Sequence, residues 1–220
     1  MMFLRWIFSK KHYELKIVLA TLGVLFVLPI IAVVVVVSTP IVAVGNALAA
    51  VNPITHIVEI FNPNGDKVEE IQLSTTWPTR GYTTDEFGAY GQYRMEHNLG
   101  PHTGLDIANE YNLIGEPVSP FTEGKVIKVN PFDNGTCGIY VKVQHVFNVT
   151  SLYCHLAIAL AVEQQDVKPG DIIGLMGSTG ASTGAHLHFQ VAVYDIPVNP
   201  RTFMVGEPEK GTIKSVLPSF

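Results

Sequence analysis

The residues best suited to chemistry in this 220-residue chain are histidines in three short motifs. In "GSTGASTGAHLHFQV" (177–191), His186 and His188 stand one residue apart. On a strand, side chains two positions apart face the same way, whereas on a helix they diverge by about 200°. In "HTGLD", His102 precedes Asp106 by four residues, a spacing that shares a face on a strand or a helix. Gly104 and the β-branched Ile107 favour the strand. In "YCHL", His155 closes a strand-like run with Tyr153 on the same face by period. Taken singly, each motif is ordinary, since an isolated His-x-His is more often one packed ring and one solvated ring.

Together the motifs form a zinc set. Zinc takes imidazole nitrogen and carboxylate oxygen, and a catalytic site supplies three protein ligands and keeps one position for water. His102, Asp106 and one of the 186/188 pair make three. One histidine of that pair, and His155, then remain for proton transfer. The chain has no His-Glu-x-x-His, so the carboxylate base of helical zinc proteases is missing. A neutral imidazole, with its pKa near the working pH, is the natural substitute. Tyr153, Ser182 and Thr183, close in sequence to these histidines, are candidate substrate contacts.

The elements that must hold these groups are short and β-rich. "GKVIKVN", "GIYVKVQHV", "VTSLYCHL", "DIIGLMG" and "HLHFQVAVY" recur between Gly-, Pro- and Asn-containing joins, at the spacing of an all-β sheet or sandwich. "LAIALAVEQ" (156–164) is the one stretch after residue 60 with the makings of a helical turn. "THIVEIF" and "KVEEIQLS" flank the turn sequence "NPNGD", a small hairpin or spacer over 52–76. Residues 204–220 lose the alternation and read as a tail.

At this point three ordered blocks, "HTGLDIA", "YCHL" and "GSTGASTGAHLHFQV", resemble the signatures of the lysostaphin-like, LytM-type zinc endopeptidases that cut peptidoglycan peptides. "EPVSPFTEGKVIKV" and "VKPGDIIGLMGSTG" extend the similarity over about residues 77 to 200, within a peptidase domain expected over 77–203. The resemblance implies a mainly β fold, an antiparallel sheet or sandwich with the metal in a groove along it. It implies Zn2+ as cofactor, His102, Asp106 and His188 as its ligands, and His155 and His186 as the histidines that assist water and transition state. It further implies a peptidoglycan stem peptide or cross-bridge as substrate. Two departures stand out: the approach "EFGAYGQYRMEHNLGPH" is long, and Gln190 occupies a position where the family often has Glu. Every position matching a ligand or catalytic histidine is intact, which favours an enzyme. The alternatives are a catalytically silent wall-binding or regulatory module, or the wall-opening component of a secretion, conjugation or phage-like machine.

The N-terminal part answers where such a domain would work. "IVLATLGVLFVLPIIAVVVVV" (17–37) carries no charge, and as a helix it would reach about 32 Å, enough for a bilayer core of about 30 Å. Arg5, Lys10, Lys11 and Lys16 precede it, so residues 1–16 are expected in the cytoplasm and everything after residue 51 outside. The apolar character continues to residue 51, giving an anchor with an extension over 17–51. A signal peptide cut after Ala49 is the competing reading, but its apolar region would be too long. Beyond residue 16 the chain holds 10 basic and 18 acidic residues, a net of −8, which argues against nucleic acid. Oligomeric state is not readable. Cys137 and Cys154 are open between a disulfide and buried thiols.

Overall fold

The computed structural model describes residues 13–22, 41–52, 54–72, 76–96, 99–146 and 148–210. The chain divides into two compact units, Met1–Pro40 and Ile41–Phe220. Of the first, one helix is described, α1 (Tyr13–Leu22). Among the described residues no helix is long and apolar enough to cross a membrane. Most of the run expected to do so, residues 23–37, lies outside them.

The second unit is built of antiparallel strands. Helix α2 (Ile41–Leu48) leads into a three-stranded sheet in which β2 (Ile57–Phe61) lies between β1 (Ala49–Val51) and β3 (Lys67–Gln72). The β2–β3 turn forms where "NPNGD" predicts one. The Asn62 side chain accepts from the N–H groups of Asn64 and Asp66, both at 2.9 Å, and Gly65 takes φ +88°.

A ten-stranded sheet follows. Its central path is β10 (Asp166–Val167), β7 (Gly124–Asn130), β8 (Ile139–Gln144), β9 (Val149–Ala159), β12 (Leu187–Val193), β5 (Leu105–Ala108) and β4 (Tyr82–Asp85). Off this path, β11 (Gly174–Met176) pairs with β9 and β6 (Pro117–Val118), and β13 (Ile196–Val198) pairs with β12. A short helix, α3 (Gln92–Glu96), lies between β4 and β5. The mainly β, antiparallel architecture is the one that the alternating pattern predicts.

Two stretches differ from the sequence expectation. Residues 41–51, expected as an apolar extension at the membrane interface or leading outward, belong to the unit that carries the sheets. Helix α2 lies so close to β13 that a Cβ on Gly45 would sit 2.7 Å from the Pro197 carbonyl oxygen, and Leu48 and Ala49 are buried in the common core. Their apolarity serves packing. "LAIALAVEQ" is likewise not helical. Residues 156–159 stay in β9, and the N–H groups of Leu160 and Ala161 donate to the Ile173 carbonyl at 2.9 and 3.1 Å. That long-range pairing outbids a local helical turn. Part of the expected tail is also tied down: Gly81 N–H donates to the Glu209 carbonyl at 2.9 Å.

What matters for the site is the alternation along β5 and β12. Leu105 and Ile107 on one, Leu187, Phe189 and Val191 on the other, are fully buried on one face. Each such side chain contributes about 1.5–3 kcal/mol on burial, and together they lock the register. Asp106 and His188 between them must then project from the opposite face.

Candidate metal centre

The β5–β12 register pairs His188 directly with Asp106, and β12–β9 pairs His188 with Cys154. Residues opposite each other on antiparallel strands are close enough for their side chains to touch. Here Nδ1 of His188 lies 2.9 Å from Oδ1 of Asp106. His102 arrives from the loop before β5 and is almost fully buried. Its Nε2 lies 3.0 Å from the same Asp106 oxygen and 2.9 Å from Nδ1 of His188. The donor atoms of His102, Asp106 and His188 all lie within 4.8 Å of one another. Gly104 permits this closeness, because a Cβ there would run into the Phe189 carbonyl and lie 2.9 Å from Cε1 of His188.

The donor set fits zinc. Nδ1 of His102 faces the Glu86 carbonyl at 3.0 Å, and only a protonated Nδ1 can bond there. Nε2 is then a lone pair directed at two other lone-pair carriers, an arrangement that a cation satisfies. Two imidazoles and one carboxylate suit zinc and leave a position for water. Burial would raise the Asp106 carboxyl, but the His102 and His188 imidazoles beside it hold it well below the usual carboxylate range. Asp106 is thus an anion at any physiological pH.

His155 and His186 face this cluster from the other side of the groove. His186 Nε2 lies 3.7 Å from Oδ2 of Asp106, and the His155 and His186 ring centroids are 4.7 Å apart. Both rings present Nδ1 to a backbone carbonyl, His155 to Thr179 at 2.7 Å and His186 to Gly184 at 2.9 Å. Each Nδ1 is therefore the protonated nitrogen, leaving the Nε2 lone pair for the groove. Burial, and next the charge of His186, push the His155 imidazole down to about 4.

The glycine-rich loop that supports these rings is pinned. Gly180 N–H donates to Asp133 at 2.6 Å, Ala181 N–H to the Thr136 carbonyl at 2.8 Å, and the Thr179 hydroxyl to the Leu156 carbonyl at 2.7 Å. A disulfide joins Cys137 to Cys154, which decides the open question, and the Cys137 carbonyl accepts from the His155 N–H at 2.9 Å. Both cysteines line the groove, whose volume is about 840 Å³.

The three residues expected at the substrate have different fates. Thr183 lines the groove. Ser182 instead supports His186: its hydroxyl donates to the Gly184 carbonyl at 2.7 Å and lies 3.3 Å from Nδ1 of His186. Tyr153 is a core residue and does not reach the substrate groove. It is fully buried, stacks on Phe189, and its hydroxyl accepts from Phe121 N–H at 3.1 Å. The period-2 argument fails because His155 takes φ +61°, which turns its side chain out of alternation with Tyr153. Sequence reasoning also missed the carbonyls of Glu86, Thr179 and Gly184, since every residue carries one. Gln190 and Arg94, the latter from the long approach to the first motif, complete the wall.

An antiparallel groove with a His–Asp–His cluster and two further imidazoles on its rim defines a candidate metallohydrolase centre. Residues 100–200 match the model of peptidase family M23, and the chain carries an M23, LytM-type domain. Among curated relatives, the DD-carboxypeptidase/endopeptidase Mpg of Neisseria meningitidis is 37% identical over 53% of this chain and 26% of its own length. Peptidoglycan DD-endopeptidase ShyA of Vibrio cholerae is 30% identical over 64% of this chain and 32% of its own length. Murein hydrolase activator NlpD of Escherichia coli is 32% identical over 58% of this chain and 30% of its own length. The chain therefore spans about a quarter to a third of these relatives. A zinc-containing peptidase from Vibrio cholerae shares the fold with a TM-score of 0.52 and 28% identity, over 69% of this chain and 47% of that one.

Proposed function

We propose that this protein is a membrane-anchored zinc endopeptidase that hydrolyses peptide bonds of peptidoglycan, in a stem peptide or cross-bridge, on the outer side of the cytoplasmic membrane. One observation carries the catalytic reading: three ligand atoms within 4.8 Å of one another face two histidines with Nε2 free for the groove. Zinc bound there supplies an activated water near neutral pH and polarises a carbonyl. His102, Asp106 and His188 would hold it. The chain's own groups do the rest. His155 is the free base at neutral pH, so its Nε2 accepts a proton. His186, 4.7 Å away ring to ring, donates to the developing oxyanion when its Nε2 carries a proton, or exchanges roles with His155. The groove lets an extended peptide lie past both rings.

The uncharged run 17–37, with basic residues before it, supports the anchor and the outward placement. A tethered wall hydrolase cuts only within its reach, which limits self-lysis. The similarity to a hydrolase activator favours a second reading, a regulatory module that no longer turns over. Against it stands a full complement of ligand and rim histidines. The test is mass spectrometry of fragments released from defined peptidoglycans by the purified chain, with and without a chelator, beside zinc stoichiometry. Chelator-sensitive release of peptide fragments supports the enzyme. Zinc stoichiometry near zero with no fragments released favours the regulator, and absence of zinc sinks the enzyme reading.

A further inference from the structure

Arg201 lies in the 3-10 turn Pro200–Phe203 that follows β13, one residue past the family-matched segment. The Asn199 side chain caps that turn, accepting from Arg201 N–H at 3.0 Å. The guanidinium grips Glu86 with two arms, Nε to Oε2 at 2.9 Å and Nη2 to Oε1 at 2.7 Å. Nη1 donates to Glu207 at 2.8 Å and Nη2 also reaches the Thr83 hydroxyl at 3.2 Å. The cation stands 5.6 Å from the Trp77 ring centroid, and that indole N–H is itself fixed to the Val205 carbonyl at 3.1 Å. Several independent contacts thus hold one guanidinium in one place.

Fold stability is a poor account of this arrangement. The two carboxylates are 53% and 67% exposed, where ion pairs contribute about 0–1 kcal/mol. What the clamp immobilises is more informative. The Glu86 carbonyl accepts from Nδ1 of His102 at 3.0 Å. Gly88 N–H donates to the His102 carbonyl at 2.8 Å, and His102 N–H to the Ala89 carbonyl at 2.9 Å. Residues 86–89 are therefore the seat of His102, and the side chain that fastens this seat is Glu86. The direction of a ligand histidine is set by the partner of its other nitrogen, and losing that partner weakens metal binding. A rival acceptor is close by: Oδ2 of Asp85 lies 3.4 Å from the same Nδ1. A slack turn would let the ring swing toward it.

We infer that Arg201 is a positioning residue for metal binding: by clamping Glu86 it fixes the carbonyl that aims Nε2 of His102 at Asp106 and His188. The inference rests on the zinc reading above. Arg201, Glu86, Glu207 and Thr83 all lie outside the matched residues 100–200.

The test is zinc affinity of the full chain by competition with a chromogenic chelator, beside thermal unfolding of the metal-free protein. Arg201→Gln and Glu86→Gln should each weaken zinc binding about tenfold, as loss of an outer partner does. The double variant should be no weaker than either single one, because both break the same link. Arg201→Lys keeps the charge without the fork and should recover little of the loss. Glu207→Gln strips the far arm and should cost less than Glu86→Gln. The metal-free unfolding temperature should move by only a few degrees. Indistinguishable zinc affinity in parent, Arg201→Gln and Glu86→Gln overturns the inference, as does additive weakening in the double variant. If Arg201→Gln does not fold, Glu86→Gln and Arg201→Lys carry the same comparison. A parent chain that takes up no zinc is a separate result, which sinks the proposed function and this inference with it.

Discussion

Asp106 and His188 stand opposite each other on regular, paired strands, while His155 and His186 reach the same groove from backbone that leaves the ladder. Asp106 and His188 owe their position to register, since a slip of one residue would turn Asp106 or His188 into the core. His155 and His186 owe theirs to the carbonyls of Thr179 and Gly184, to φ +61° at His155, and to the Cys137–Cys154 bond beneath. Ligands held by a sheet cannot shift without rebuilding the sheet. Rings held by loops can be displaced locally while the donor set stays intact. Metal binding and turnover should therefore separate under mutation, and the places where they fail to separate would show the contrast to be false.

The largest effect belongs to the sheet-borne ligands. His188→Ala or Asp106→Asn should abolish both zinc uptake and peptidoglycan hydrolysis, a loss beyond the roughly 10–100-fold that outer partners cost. Metal analysis and a turbidity assay on purified walls read both. Next come the rim histidines. His186→Ala should leave zinc stoichiometry at the parent level and lower turnover roughly 10²–10⁴-fold, the usual range for a general acid or base. His155→Ala should behave alike. A His186→Ala protein that digests walls at the parent rate would falsify the assigned division of labour.

The disulfide sharpens the contrast further. It holds the Cys137 carbonyl that accepts the His155 N–H, and Gly138, next to Cys137, packs against Gly180 of the glycine-rich loop. Cys137→Ser with Cys154→Ser, or reduction of the parent, should lower turnover up to about 10²-fold, the cost of misplacing a catalytic group by about 1 Å. Zinc affinity should change little, because the β5–β12 register that pairs His188 with Asp106 does not depend on the bond behind Cys154. Closing a loop with a sequence separation of 17 also stabilises the fold by about 3 kcal/mol, so urea unfolding should register the loss. Lost zinc with retained turnover would reverse the picture.

Strand period makes the pairing of Asp106 with His188 legible, because both stand on regular strands. His102, His155 and His186 lie off that ladder, and their grouping comes from the resemblance of "HTGLD", "YCHL" and "HLH" to family signatures. Tyr153 was misplaced by the same rule, because one left-handed residue breaks alternation and leaves no mark in composition. The apolar stretch 41–51 reads as an extension at the membrane interface, since a helix that packs on β13 and one that meets lipid have the same residues. The cysteine pair could not be decided without the distance between two segments. The carbonyls that fix the rings were invisible in principle, and so was Arg201, whose partners are distant in sequence.

The smallest effect concerns a histidine with no part in the groove. Burial pushes His145 down to about 4, as it does His155, but His145 is in the body of the fold. Its Nδ1 faces the Glu123 carbonyl at 2.8 Å, and its Nε2 lies 2.7 Å from the Ser151 hydroxyl, which in turn is 2.9 Å from the Tyr153 phenol. Burial disfavours the charged ring, more than the Glu123 hydrogen bond favours it. An unfolded chain protonates the same ring near 6.5, so below that pH the unfolded state binds a proton the fold does not. The contribution of His145 to stability is complete above about pH 6.5, falls as pH drops, and levels off below about pH 4. The loss should be on the order of 1–3 kcal/mol across that window. His145→Gln, which cannot titrate, should flatten this part of a urea-unfolding pH profile and leave turnover at neutral pH near the parent value. An unchanged profile in His145→Gln would mean that other groups govern acid unfolding. A large drop in turnover would mean that the face of the sheet behind the groove is coupled to the groove more tightly than the strand-and-loop contrast allows.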